Sequence, residues 1–307
     1  LITLSIFIYF FYQNKIKNNF TKTYIVSKET AVLVNNLFMM FFLSVVLIGT
    51  VYPIFLEVIS SEKISVGPPF YNKLIIPFLI PFLFFMAIGP NLKWIKSDIK
   101  NKKNMIIFLV ISFLISILVI RNFEIEYLIY TILLTSAFYL FFITTRDFIK
   151  KKSNNLPQNL AHFGFSLLIL SILLNNIFSS EVITNLKVGD TFKSEKFKIN
   201  FININQEQEQ NFKAIRGKIS VEGPKGVVEF FYPELRIYNQ PNIVTSEADI
   251  KTNLFTDKFI TMNSVQNQEY FNIRYQNKPL MIWIWISTLI IIFGGTFAIF
   301  SKKKNYS

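Results

Sequence analysis

A mainly α, multi-pass membrane protein of about seven transmembrane helices, the first of them incomplete, with one inserted antiparallel β-domain, is the expected architecture. Three observations lead to it. The 307 residues are 51% hydrophobic and include 35 Phe, at a mean hydropathy of +0.39, which is more apolar surface than a water-facing fold of this size hides. Apolar runs of spanning length, roughly 17 to 25 residues, recur along most of the chain. One stretch of about 100 residues near the end lacks them and alternates instead between apolar and polar positions.

The runs fall at 34–59, 73–90, 104–120, 126–145, 159–179 and 281–300. A shorter run, Leu1 to Tyr12, has no Met, no basic stretch before it and no small-residue cleavage site after it, so it reads as part of a transmembrane helix rather than as a signal peptide. On this reading the chain is the C-terminal part of a longer protein. Its expected division is 1–179 for the first six helices, 180–280 for the β-domain, and 281–307 for the last helix with a basic tail.

The loops test the orientation. Lys15, Lys17, Lys22 and Lys28 follow the first run, and Lys93, Lys96, Lys100, Lys102 and Lys103 follow the third. Arg146, Lys150, Lys151 and Lys152 follow the fifth, and Lys302 to Lys304 close the chain, whereas the opposite short loops hold only Lys63, Lys73 and Arg121. The positive-inside rule then puts the Lys-rich side in the cytoplasm, and the 180–280 segment in the periplasm of a bacterial inner membrane. That segment holds 13 basic and 12 acidic residues between Glu181 and Leu280, leaving 19 and 7 for the remainder. The net charge of +13 is therefore a membrane-topology signal and not a nucleic-acid footprint.

Within that segment, Phe197 to Ile204 and Ala214 to Val221 show the period of two that marks half-buried strands. Gly223-Pro-Lys-Gly226 supplies a turn before Val227 to Tyr232. Nothing there has the spacing of a catalytic triad or a metal site. With no cysteine in the chain, disulfides, thiolate metal sites and cysteine nucleophiles are excluded in this polypeptide.

One residue of the membrane part has distinctive chemistry. His162 is the single histidine and lies in Leu156-Pro-Gln-Asn-Leu-Ala-His-Phe-Gly164. Pro157 suits a first helical turn, which places His162 within the first two turns, toward the Lys-rich side. Ala161 and Gly164 leave room for a flat ligand or for a closely packed helix. An imidazole at that depth needs a partner. From the residues alone two readings stand: a hydrogen bond to a neighbouring helix or interface, and an axial nitrogen for heme iron. Pro53, Pro77, Pro81 and Pro90 read as kinks or helix ends, Glu57 as an interfacial residue as readily as a proton carrier, and Trp283 with Trp285 as an aromatic belt.

Beyond these features the chain resembles the CcmF family of cytochrome c-type biogenesis proteins. The resemblance runs in order through Ser27-Lys-Glu-Thr-Ala-Val-Leu-Val-Asn-Asn-Leu37, Gly49-Thr-Val-Tyr-Pro53, Lys63-Ile-Ser-Val-Gly-Pro-Pro-Phe-Tyr-Asn72, Gly89-Pro90 and Ala161-His-Phe-Gly164. It continues through Tyr232-Pro-Glu234, Thr245 to Ile250, and Lys278-Pro-Leu-Met-Ile-Trp-Ile-Trp285. What the resemblance implies is a heme lyase component that takes heme from the chaperone CcmE, in company with CcmH, and joins it to the thiols of a CxxCH segment in apocytochrome c. It also implies a resident b-type heme, reduced by quinol, with His162 as one axial ligand of its iron. The family's second membrane ligand, its Trp-rich loop and its outward-facing histidines belong to an N-terminal half that this chain does not contain. The implied consequences are a chain that by itself holds neither heme properly and does not catalyse ligation and, at this stage, no assignable catalytic residue. The outer loop Ser60 to Lys73 and the β-domain are expected to border the docking place of CcmE and apocytochrome. The rival readings are a proton-coupled transporter or permease subunit and a non-catalytic scaffold.

Overall fold

The computed structural model describes residues 2–12, 24–60, 63–96, 102–121, 127–150, 156–194, 197–223, 226–265 and 269–300. Of the basic residues counted above, Lys15, Lys17, Lys22, Lys100, Lys151, Lys152 and Lys302 to Lys304 lie outside them, as do Pro224 and Lys225 of the expected turn. Seven α-helices occur among the described residues: α1 (Ile2–Tyr12), α2 (Lys28–Ser60), α3 (Pro68–Ile88), α4 (Lys102–Ile120), α5 (Tyr127–Ile149), α6 (Leu156–Phe178) and α7 (Met281–Phe300). Six of these, all but α1, are long and apolar enough to cross a membrane. The 11 residues of α1 rise about 16 Å, near half of a hydrocarbon core. The chain is a multi-pass membrane protein.

Two compact units divide within α5, at Ile143 and Thr144. In the first unit, α2 starts on Ser27, whose Oγ accepts a hydrogen bond from the Thr30 amide at 3.2 Å, capping the free N–H groups of the first turn. Glu29, favourable at this positive helix end, accepts the Ile95 amide at 2.9 Å, and the Lys28 amide donates to the Lys93 carbonyl at 2.9 Å. The start of α2 therefore clamps the chain that leaves α3 through the 3-10 turn Gly89–Asn91. Ile95 sits there at φ 65°, an uncommon conformation for a β-branched residue. At the other end Pro68 and Pro69 open α3 with the φ and missing donor suited to a first turn. Between the two helices the packing is aromatic, with Phe41 on Phe78 and Phe42 edge-on to Phe82. Deepest in this unit is α5, whose Leu133, Leu134, Ala137, Leu140 and Ile143 are each 1% exposed or less.

The second unit joins the last turn of α5, α6, α7 and ten antiparallel strands: β1 (Ser180–Leu186), β2 (Thr191–Lys193), β3 (Lys198–Gln208), β4 (Phe212–Glu222), β5 (Val228–Phe231), β6 (Glu234–Tyr238), β7 (Ile243–Glu247), β8 (Asp249–Thr252), β9 (Thr256–Ser264) and β10 (Phe271–Pro279). They form two sheets, β1-β10-β9-β8 and β2-β3-β4-β6-β7, with β5 on β4. The inner faces interdigitate as in a sandwich. In register, Ile199 faces Val221 and Phe201 faces Ile219 in one sheet; Ile260 faces Tyr275 and Met262 faces Ile273 in the other. All are buried. A bulge between Phe201 and Asn203 adds one residue, so the inward row passes from Phe201 to Ile204 and leaves Ile202 outside. Gly217 permits the close approach of the two sheets, since a Cβ there would meet Met262 Sδ at 2.9 Å.

Candidate functional site

α6 is held from two sides within the second unit. Along one stripe it meets α7 in an antiparallel crossing of small residues. A Cβ on Gly294 would come within 2.7 Å of the Ala161 amide nitrogen and 3.0 Å of the Pro157 carbonyl, and one on Gly164 within 2.9 Å of Ile291. Such near-contact of backbones is what small residues allow between helices in lipid. At the outer end the Asn175 side-chain amide donates to the Pro279 carbonyl, just before α7 begins. The space beside Ala161 and Gly164 is thus taken by α7, which decides for the packed helix over the flat ligand at that surface.

Along another stripe α6 meets the end of α5. The hydroxyls of Thr144 and Ser166 bond at 2.8 Å, and the rings of Phe148 and Phe163 stack at 5.7 Å. His162 lies one turn before Ser166, a spacing that puts the two residues on one helix face, and about 100° around from Ala161. It stands in the second turn of α6, with Pro157 the second helical residue, as the spacing predicted. The ring is partly buried. Its Nδ1 is fully enclosed and has no hydrogen-bond partner among the described residues. An unpaired polar atom in a membrane interior costs several kcal/mol, and the described residues leave that cost on this imidazole unrelieved.

Arg146 and Asp147, in the last turn of α5, are a feature the sequence reading missed. The guanidinium Nε and Nη2 donate to Asp147 Oδ1 at 2.9 and 2.7 Å, and the two side chains are only 10% and 16% exposed. Counting Arg146 among loop charges was incorrect: α5 runs through it to Ile149. Phe148 and Ile149 carried the available signal, because two more apolar residues after the charged pair extend the helical stripe past it.

In the sandwich, Tyr232-Pro-Glu234 also acquires a physical role. Glu234 Oε1 accepts from Arg216 at 2.8 and 2.6 Å, and Oε2 from Arg236 at 3.1 and 3.0 Å. Burial alone pushes the Glu234 carboxyl up, but the hydrogen bonds from Arg216 and Arg236 outweigh it and hold the group below its usual range. Burial pushes the Tyr275 phenol up to about 12, helped by the nearby Glu229 carboxylate. These are structural ties. Among the described residues no three His, Cys, Asp or Glu side chains gather as a metal site.

Residues 177–279 match the sequence model of a family described as the CcmF C-terminal beta-sandwich. Over 292 residues the chain is 24% identical to the cytochrome c-type biogenesis protein CcmF of Pseudomonas aeruginosa, covering 90% of this chain and 44% of that protein. With the CcmF of Escherichia coli the identity is 24% over 286 residues, at the same coverage. The chain is similar to CcmF over nine-tenths of its length. Its fold agrees: a solved structure named cytochrome c heme lyase CcmF superposes with a TM-score of 0.68 at 19% identity, over 89% of this chain and 46% of that one. The chain therefore spans less than half the length of the CcmF relatives it matches. These likenesses bring nothing to the transporter reading.

Proposed function

We propose that this chain is the membrane-embedded C-terminal part of a cytochrome c heme lyase, and that His162 supplies one axial nitrogen to a b-type heme. The observation that carries the site assignment is the position of His162, the single histidine of the chain, on a membrane helix, in a chain similar to proteins named for cytochrome c biogenesis. Heme held there would supply electrons to keep the iron of the incoming heme reduced. The chain's own residues do the positioning. The Gly164 and Gly294 crossing sets the depth of α6 against α7. The Thr144–Ser166 bond and the Phe148–Phe163 stack set its rotation against α5. Together they hold the imidazole in one orientation, which is the share of catalysis that comes from preorganisation.

Covalent attachment through thioether bonds fits a chain without cysteine, because both thiols then belong to the CxxCH segment of apocytochrome c. The partners of this reading are CcmE as heme donor, CcmH, apocytochrome c and a quinol reductant. The setting is the bacterial inner membrane, with the sandwich in the periplasm and the C-terminus in the cytoplasm. The Lys-rich and Lys-poor loops support that orientation. The test is His162→Ala and His162→Gly in the complete protein, purified at matched amounts. The reduced b-type absorbance is expected to disappear in both; unchanged heme content in either variant refutes the ligand assignment.

A further inference from the structure

The β8–β9 hairpin closes with the Asn253 amide donating to the Thr256 carbonyl at 3.0 Å, which leaves a two-residue loop, Leu254–Phe255. Loops of this length favour Asn, Asp or Gly in left-handed conformations. Here the two positions are large and apolar, and neither has a positive φ. Asn253 Oδ1 holds the loop instead, accepting from the Phe255 and Thr256 amides at 2.9 and 2.8 Å. The tip is thus fixed, uncharged from Asn253 to Thr256, and exposed, at 60% for Leu254 and 68% for Phe255. Turn chemistry alone does not call for these side chains.

The tip is tied to the first turn of a membrane helix. The Leu280 amide donates to the Phe255 carbonyl at 2.7 Å, and the Trp283 indole donates to the Leu254 carbonyl at 2.9 Å. Met281 is the first residue of α7, and each residue advances a helix about 1.5 Å, so the loop backbone lies within hydrogen-bonding reach of the point where the span begins. Leu280, at φ 59°, makes the sharp turn from β10 that brings the hairpin there. A Trp at such a boundary belongs to the interfacial belt.

We infer that Leu254 and Phe255 form an interfacial anchor that dips into the lipid leaflet at which α7 starts. The occupant is lipid, since the tip continues the surface of a helix that is itself in lipid. The anchor gives the sandwich a second attachment to the bilayer besides its covalent joins to α6 and α7, and so fixes its tilt. This rests on the membrane span and not on the heme reading.

The absence of cysteine makes the test clean. Leu254→Cys, Phe255→Cys and, as control, Val188→Cys are made singly in the 307-residue chain and spin-labelled. Val188 is an exposed apolar turn residue at the far end of β1, about 20 Å from the α6 junction by strand rise. In phosphatidylcholine–phosphatidylglycerol vesicles, the ratio of oxygen to water-soluble nickel-complex accessibility is expected to be severalfold higher at 254 and 255 than at 188. A ratio equal to the control at both positions overturns the anchor. A label shielded from both reagents also overturns it, because a protein surface would then cover the tip.

Discussion

Gly49 and Tyr71 touch across α2 and α3, and that contact gives two motifs far apart in sequence one physical reason. A Cβ on Gly49 would stand 2.7 Å from the Tyr71 hydroxyl oxygen and 2.9 Å from its ring, closer than any real packing. Gly49→Ala is therefore expected to cost about 1–3 kcal/mol by overpacking, read as a lower unfolding midpoint in detergent. In a Tyr71→Ala background the same substitution should cost much less, and a double-mutant cycle without coupling would remove the explanation. Glu234 makes a second residue-scale case. Its folded carboxyl is held low by two guanidinium groups, so its contribution is present above the ordinary carboxylate pKa and is lost as pH falls through the depressed folded value. Glu234→Gln should lower sandwich stability at pH 7 by about 1–3 kcal/mol and flatten the acid limb of the stability profile. Equal acid limbs in the two proteins would show that the arginine clamp does not act through this charge.

At the scale of elements, the crossing of α6 and α7 is the joint on which the site depends. Gly294 faces backbone, the Ala161 nitrogen and the Pro157 carbonyl, which cannot rotate aside as a side chain can. Gly294→Val should push α7 off the first turns of α6 and disturb His162 without touching it, whereas Gly295→Val, where a Cβ meets nothing within 4 Å, should be tolerated. In the complete protein the expected readout is loss of b-type heme at Gly294→Val and retention at Gly295→Val; equal retention would detach the crossing from the site. Of these elements, the helices were legible because apolar length in lipid is a coarse and strong signal, and β3 and β4 because one face of each is buried. His162 stood out in the sequence as the single imidazole of the chain, on a span. The partners of α6 were not: composition shows that Ala161 and Gly164 are small, but not which helix lies on them. Arg146 was misread because a charge near an apolar run looks the same whether the helix ends before it or carries it inside. The bulge after Phe201 was hidden because Ile202 and Ile204 keep an apolar alternation in sequence while the backbone changes face between them.

For the molecule as a whole, the question is how many ligands one chain can give to an iron. The chain holds one imidazole and no thiol, so the proposed site draws a single imidazole nitrogen from these 307 residues, and the similar proteins are more than twice as long. Isolated and supplied with heme, the chain should then give a five-coordinate, high-spin spectrum, with the sixth position open. Added imidazole should convert that spectrum to the low-spin, six-coordinate form, and His162→Gly should abolish specific binding before imidazole is added. The observations that decide are spectroscopic and independent of ligation activity. A low-spin spectrum from the unsupplemented chain would mean that a second residue of this chain already serves the iron, and the completion of the site by the remainder of a full-length relative would have to be abandoned.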